Sequence, residues 1–457
     1  MASNPLSSSA VEMVPSEVLL PRGASREGTY WRRALDWTAK GSLAITDQGL
    51  FAGSNFLLNV LLARWLSPAD YGAFAVAYAA FLLLGQVHTA LLTEPMLVFG
   101  PGKYAGRFRE YVWVLLCGHF ALTLPCAALL AGGGVILDRL SWTTAGHACL
   151  ALSVAGPFML LLWLTRRAFY VQLQPAWAAA GGTLYFLVLV CGVFWTARVR
   201  LLSPASAFLI MGVGSLAVSA LLILRLRPQP PAEPTAFRAA ARDHWGYGRW
   251  ALATSGASWF QGNIYFALLP VWVGLEETGG LRALINLSNP VVHTTMALSV
   301  LLLPAFVRKG RQGGLASINR TLVRALGLFV VGSALYAALL WTFRSQVFAV
   351  LYGDKFHAYL GWPLLPMALL PVPLSAAVVL GSALRALERP DALFGCWLAS
   401  SVVALALGVP LAASKSTGGA AAGLLLSAVT AALATLGFYV KALRDHRQRE
   451  ASALIHA

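Results

Sequence analysis

The chain has 457 residues, 58% hydrophobic and only 11% charged, with a mean hydropathy of +0.68. Soluble domains carry about 25% charged residues, and even a large soluble fold keeps a surface to solvate, so the composition excludes one and implies a polytopic membrane protein. The formal net charge of +16 would suit a nucleic-acid partner only if the cations were clustered on one soluble face, and their placement argues otherwise.

Residues 1–43 contain no apolar run behind a basic start, so no cleavable leader is expected. They read as a cytoplasmic tail ending in an interfacial segment, "TYWRRALDWTAKG". From Ala44 onward, runs that meet the roughly 20 helical residues a bilayer core requires occur twelve times. They are about 44–66, 71–99, 108–132, 145–169, 175–197, 203–225, 247–273, 278–306, 317–343, 361–385, 390–413 and 418–441. Barrel strands would be about 10 residues of alternating pattern, so the expected fold class is all-α. Proline and glycine mark many of the ends, as in "SPADYG" and "LERPD".

Alternate connections hold 26 of the 34 lysines and arginines. The other side holds Arg64, Arg139, Arg198, Arg200, Arg282, Arg344, Lys355 and Lys415. The basic side is cytoplasmic by the positive-inside rule, which places both termini in the cytoplasm. The positive charge is thus a topology signal, and no nucleic-acid partner is expected. A Pro- and charge-rich linker over 226–246 separates a lobe at 44–225 from a second at 247–441, followed by a cytoplasmic tail at 442–457.

The two halves echo each other. "FAGSNF" around Asn55 matches "WFQGNI" around Asn263, and "VHT" occurs at 87–89 and again at 292–294. Six helices per half give both lobes one orientation, so the expected pseudo-two-fold axis lies along the membrane normal with a binding site near midplane.

Chemistry-bearing residues concentrate on a few helices. Arg282, Asn286, Asn289 and His293 fall at i, i+4, i+7 and i+11, one face of an otherwise apolar helix. Such a stripe must avoid lipid. It lines a watery cavity, or its asparagines join helices while Arg282 reaches the interface. Pro290 lies within it and disrupts the backbone ladder. In the first helix Gln48, Asn55 and Asn59 form a lesser stripe. Gln261 and Asn263 add polar groups to the seventh. His88 is a pathway candidate or a hydrogen-bonded core histidine. Asp47 and Glu94 are candidate coupling carboxylates or salt-bridge partners of nearby basic residues. The five cysteines (Cys117, Cys126, Cys149, Cys191, Cys396) stand singly, and no phosphate-binding loop or catalytic constellation is found. A non-enzymatic protein without metal or cofactor is expected.

The stretch "DQGLFAGSNFLLNVLLARWLSPADYGAFAVAYAAFLLL", 47–84, together with "TEPMLV" at 93–98, resembles the polysaccharide and O-antigen flippases of the multidrug/oligosaccharidyl-lipid/polysaccharide (MOP) exporter superfamily. The resemblance implies two pseudo-symmetric six-helix lobes around a central cavity lined by helices 1, 2, 7 and 8. It implies a bacterial inner-membrane protein that moves a lipid-pyrophosphate-linked oligosaccharide to the outer leaflet, with membrane lipids, a polysaccharide polymerase and other assembly proteins as candidate partners. Unlike the lipid II flippases, the first helix has a basic residue only at its outer end, Arg64. A cation-coupled drug exporter of the same superfamily and a non-transporting scaffold of a polysaccharide assembly complex are the alternatives. The topology predicts that reporter fusions at Gln312 and Ser416 read out on opposite sides, cytoplasmic and external; the same side for both would refute it.

Overall fold

In the computed structural model, residues 47–455 are described, apart from 48, 51, 388 and 389. The expected N-terminal tail and Gln48 lie outside the described residues. All regular structure among the described residues is helical. The long helices are α1 (52–65), α2 (Pro68–Phe99), α3 (Phe108–Arg139), α4 (Thr143–Val171), α5 (Pro175–Arg198) and α6 (Pro204–Leu226). They continue as α7 (Thr235–Val273), α8 (Leu275–Gly310), α9 (315–342), α10 (Leu364–Ala386), α11 (Ala392–Ser414) and α12 (Ser416–Asp445). Ten of them are long and apolar enough to cross a membrane. The two expected spans outside that count are α1, described only from 52, and α7, whose apolar run is diluted by Ser255, Ser258, Gln261 and Asn263.

Local chemistry sets the ends. Ser67 caps α2 by accepting from the Asp70 N–H, with Pro68 in the first turn, where its missing N–H has no partner to lose. Ser203 and Ser206 form a reciprocal cap at α6. The α8–α9 reversal uses Gly314 at φ +59°, a conformation open to glycine at little cost.

The structure corrects several expected boundaries. Helix α4 runs on to Val171, two residues past the expected end at 169, and holds Arg166 and Arg167 within it. Half of the expected linker is helix, because "TAFRAAARDHW" after Pro234 is rich in helix formers. The basic stretch 308–324 is helical except at Gly313 and Gly314. Residues Arg344–Tyr352, read as connection, form a short helix.

Each lobe is built around its fourth helix. In the first, α4 packs on α3 and α6. In the second, α10 packs on α12 and, through Ser375 and Ser333, on α9. The lobes meet at the end holding the α1–α2 and α7–α8 turns, here the upper end. Gly72 and Gly279 touch there backbone to backbone. A Cβ on Gly72 would fall 1.8 Å from the Leu275 oxygen and 3.0 Å from the Gly279 nitrogen. A Cβ on Gly279 would fall 2.2 Å from the Pro68 oxygen and 3.1 Å from the Gly72 nitrogen. The contact is reciprocal, as it is where a two-fold axis passes between equivalent residues. It sets the repeat at 207 residues. At that spacing His88 corresponds to Thr295, so the two "VHT" tripeptides are out of register.

A second contact joins the lobes lower down. Pro95 has no N–H, which leaves the Leu91 carbonyl without its helical donor, and a π-helical turn, Thr89–Thr93, precedes it. His244 Nδ1 of α7 lies 2.7 Å from that carbonyl and meets it.

Because the Gly72 contact leaves no room for a methyl, Gly72→Ala should force the upper ends apart. Cysteines at 64 and 350, in a background without the five native ones, should be bridged by a short bifunctional thiol reagent readily in the parent and several-fold more slowly in the variant.

Candidate functional site

The upper closure is built across the lobes from α1, α2, α8 and the 343–363 segment. Arg64 donates to the Val350 carbonyl. Lys355 donates to the carbonyls of Leu66 (2.5 Å) and Arg64 (2.8 Å), and burial holds its pKa below the usual lysine value. The Tyr71 and Phe356 rings meet edge-on at 6.1 Å.

Arg282 sits directly beneath this closure and is only 7% exposed. It does not reach out to the interface. Its Nε donates to Asn59 Oδ1 of α1 at 3.0 Å, and the same oxygen accepts from the Tyr71 hydroxyl at 3.2 Å. The guanidinium lies 4.8 Å from the Tyr78 ring centroid and 5.9 Å from that of Phe266. Among the described residues no carboxylate forms an ion pair with it. A buried cation without a counter-ion costs several kcal/mol, and face contact with an aromatic ring returns about 2 kcal/mol when desolvated. The site is therefore short of negative charge.

Exposure rises down the stripe. Asn286 is fully buried, and neither atom of its amide meets a hydrogen-bond partner. Asn289 is half-buried, His293 is exposed, and Pro304 further down is exposed as well. Helix α1 repeats the gradient: Asn59 is buried, Asn55 half-buried, Gly53 and Gly49 exposed. The two helices, joined where Arg282 meets Asn59, both grow more exposed toward the basic end, a gradient that suits a cleft narrowing to Arg282.

The other candidates are spread through the molecule. Asn55 carries the carbonyl that accepts from Asn59 Nδ2 at 2.8 Å. Asn263 is half-buried, with Nδ2 3.4 Å from the Trp259 carbonyl. Gln261 lies one turn below Tyr265, whose hydroxyl points at Gly408 and Gly423 of the second lobe. That face of α7 looks into the lobe and away from the cleft. His88 is fully buried inside the first lobe, 2.9 Å from His119 Nδ1 of α3. Asp47 is buried in a bond to Arg166 (2.6 Å) and a second to the Tyr170 hydroxyl. Glu94 is half-buried at the basic end, where Arg167 of α4 and Arg385 of α10 act on it electrostatically.

Sequence reasoning missed the aromatic frame of Arg282. Tyr71 and Tyr78 stand at i and i+7 on α2, a spacing that marks one face, but nothing local says that the facing residue is a guanidinium 204 positions away in sequence from Tyr78.

No family model matches the sequence, and no curated protein matches it. Solved structures do match in fold. One is an inward-facing multidrug resistance MATE family transporter of the MOP superfamily, at TM-score 0.72 and 10% identity, covering 88% of this chain and 96% of that one. Another is the lipid II flippase MurJ in an inward closed conformation, at TM-score 0.70 and 12% identity, covering 88% and 87%. A third is a eukaryotic MATE transporter, at TM-score 0.66 and 14% identity, covering 92% and 99%. The chain thus has the multi-pass membrane fold of MOP-superfamily transporters.

The exposure gradient makes a labelling prediction. Cysteines at 289 and 293 should react with a small polar thiol reagent, and one at 286 should be protected until the upper closure is loosened by Gly72→Ala. Equal reactivity of 286 and 293 in the parent would contradict the cleft.

Proposed function

We propose that this protein is a flippase that carries a lipid-pyrophosphate-linked oligosaccharide across the cytoplasmic membrane for exopolysaccharide, capsule or O-antigen synthesis. The observation that carries the reading is the buried, carboxylate-free guanidinium of Arg282 at the narrow end of a cleft walled by asparagines and aromatic rings. In this reading the basic end faces the cytoplasm of a bacterium, and the closed upper end faces outward.

A diphosphate supplies the negative charge that Arg282 lacks, and the planar fork suits its oxygens. Sugar hydroxyls cannot enter hydrocarbon without partners; the amides of Asn289 and Asn286 and the ring of His293 replace the lost water. The lipid tail remains in the bilayer while the headgroup uses the cleft. Transfer requires the upper closure to part, and Arg282 is one of its bonds through Asn59. Occupation of the guanidinium by phosphate would compete with that bond and favour opening.

A cation-coupled drug exporter fits this charge pattern less well. Organic cations would meet an uncompensated arginine, and the two acids Asp47 and Glu94 lie among arginines near the basic end. The fold does not separate the two classes, since MATE and MurJ structures match about equally well.

Deletion of the gene should abolish surface polysaccharide and leave lipid-linked repeat units in the inner leaflet. Arg282→Gln should reproduce the defect, and Arg282→Lys should keep part of the activity. Normal surface polysaccharide together with new drug sensitivity in the deletion strain would replace this reading by the exporter one.

A further inference from the structure

The α7 helix has 39 residues, about 58 Å at 1.5 Å per residue, whereas roughly 20 residues cross the bilayer core. Its first part, residues 235–250, projects beyond the core at the basic end as an arm. The inner face of the arm is fixed to the first lobe. Asp243 pairs with Lys103 at 2.6 Å and accepts from the Tyr104 hydroxyl at 2.6 Å. Burial works against the Asp243 charge, but the hydrogen bonds from Lys103 and Tyr104 and the Lys103 charge hold its carboxyl below the usual range. His244 meets the Tyr111 hydroxyl at 2.6 Å, and Gly248 lies against the Ala90 carbonyl.

The outer face is different. Arg238, Arg242, Trp245 and Arg249 stand at i, i+4, i+7 and i+11, one stripe on the side opposite Ala240 and His244. All four are exposed, Trp245 by 58%, and Trp250 beside them by 70%. Among the described residues none of these arginines forms an ion pair. Arg238 and Arg242 also border a cavity of about 340 Å³ between the arm and the 100–107 loop, where Lys103 and Arg107 bring the cations to four against two acids, Glu110 and Glu233.

We propose that this stripe and cavity form a binding site for the headgroup of an anionic phospholipid in the leaflet at the basic end. Tryptophan and tyrosine settle at the level of lipid headgroups, and juxtamembrane arginines attract anionic lipid. The arm is held rigidly at that level by contacts on its other face, so its arginines are already oriented toward the leaflet. The cavity volume suits one headgroup. The site is separate from the cleft and does not depend on what the cleft carries.

The test is binding of phosphatidylglycerol and phosphatidylcholine to the purified full chain in detergent, by native mass spectrometry and by titration with short-chain forms of each lipid. Phosphatidylglycerol should bind more tightly, and less so as salt rises. Each juxtamembrane arginine is worth roughly fivefold, so Arg238→Gln with Arg242→Gln should weaken binding about twentyfold, while the double lysine variant keeps most of it. Inorganic phosphate should not displace the lipid. Arg282→Gln, made in the same background, should leave phosphatidylglycerol binding unchanged whatever it does to polysaccharide export. Equal affinity of the parent and the folded glutamine variant would overturn the proposal. So would complete displacement by inorganic phosphate, which would make the cavity a free-anion site.

Discussion

A single unbalanced charge organises the centre of this molecule. Arg282 lies under a closed roof, bonded to one asparagine and faced by two aromatic rings. Each of these contacts comes from a different helix: Asn59 from α1, Tyr78 from α2 and Phe266 from α7. None carries negative charge. The guanidinium is therefore tolerable in the empty protein but unsatisfied, a state that an anion would relieve. Interactions of this kind make a site responsive, because the cost of the buried charge is present before the ligand arrives and falls when it binds.

The roof is held by geometry more than by attraction. Gly72 and Gly279 let two helix backbones meet, and the pseudo-two-fold places each against the start of the other helix. Around that contact the polar links use main-chain carbonyls of the opposite lobe, with Arg64 on Val350 and Lys355 on Leu66. Bonds to carbonyls at an exposed rim exchange readily with water. A closure made of shape contact plus exchangeable rim bonds can open without leaving a buried charge pair broken.

Much of this was legible in the sequence, and the parts that were not share a cause. The helical spans and the stripe on α8 follow from hydropathy and the 3.6-residue period, both local properties. His88 read as a pathway candidate or a hydrogen-bonded core histidine, and the structure gives the second; its partner was not legible, because His119 is on another helix and the "VHT" match pointed to a false equivalence with His293. The equivalence is set by the glycine contact, which only the folded lobes reveal. Asp47 read as a candidate coupling acid or a salt-bridge partner; the structure shows it bonded to Arg166 of α4, 119 residues away in sequence, a pairing that no local pattern specifies. The short helix at Arg344–Tyr352 was missed because it is too brief to leave a hydropathy signature.

One helix ties the lobes into a mechanical unit. The lower part of α7 is bound to the first lobe by Asp243, His244 and Gly248, while its upper part belongs to the second, with the Tyr265 hydroxyl against Gly408 and Gly423. A rocking motion of the lobes cannot leave both attachments and a straight α7 intact. Between them lie Gly256 and Gly262, where an added Cβ would meet nothing within 4 Å. Neither glycine is required by close packing, and each lowers the resistance of the helix to bending. The span between them has contacts of its own, with the Trp259 indole donating to the Ala79 carbonyl of the first lobe and the Ser401 hydroxyl to the Ala257 carbonyl of the second. Opening at the roof would therefore have to break one of these attachments or bend α7 between Gly248 and Tyr265.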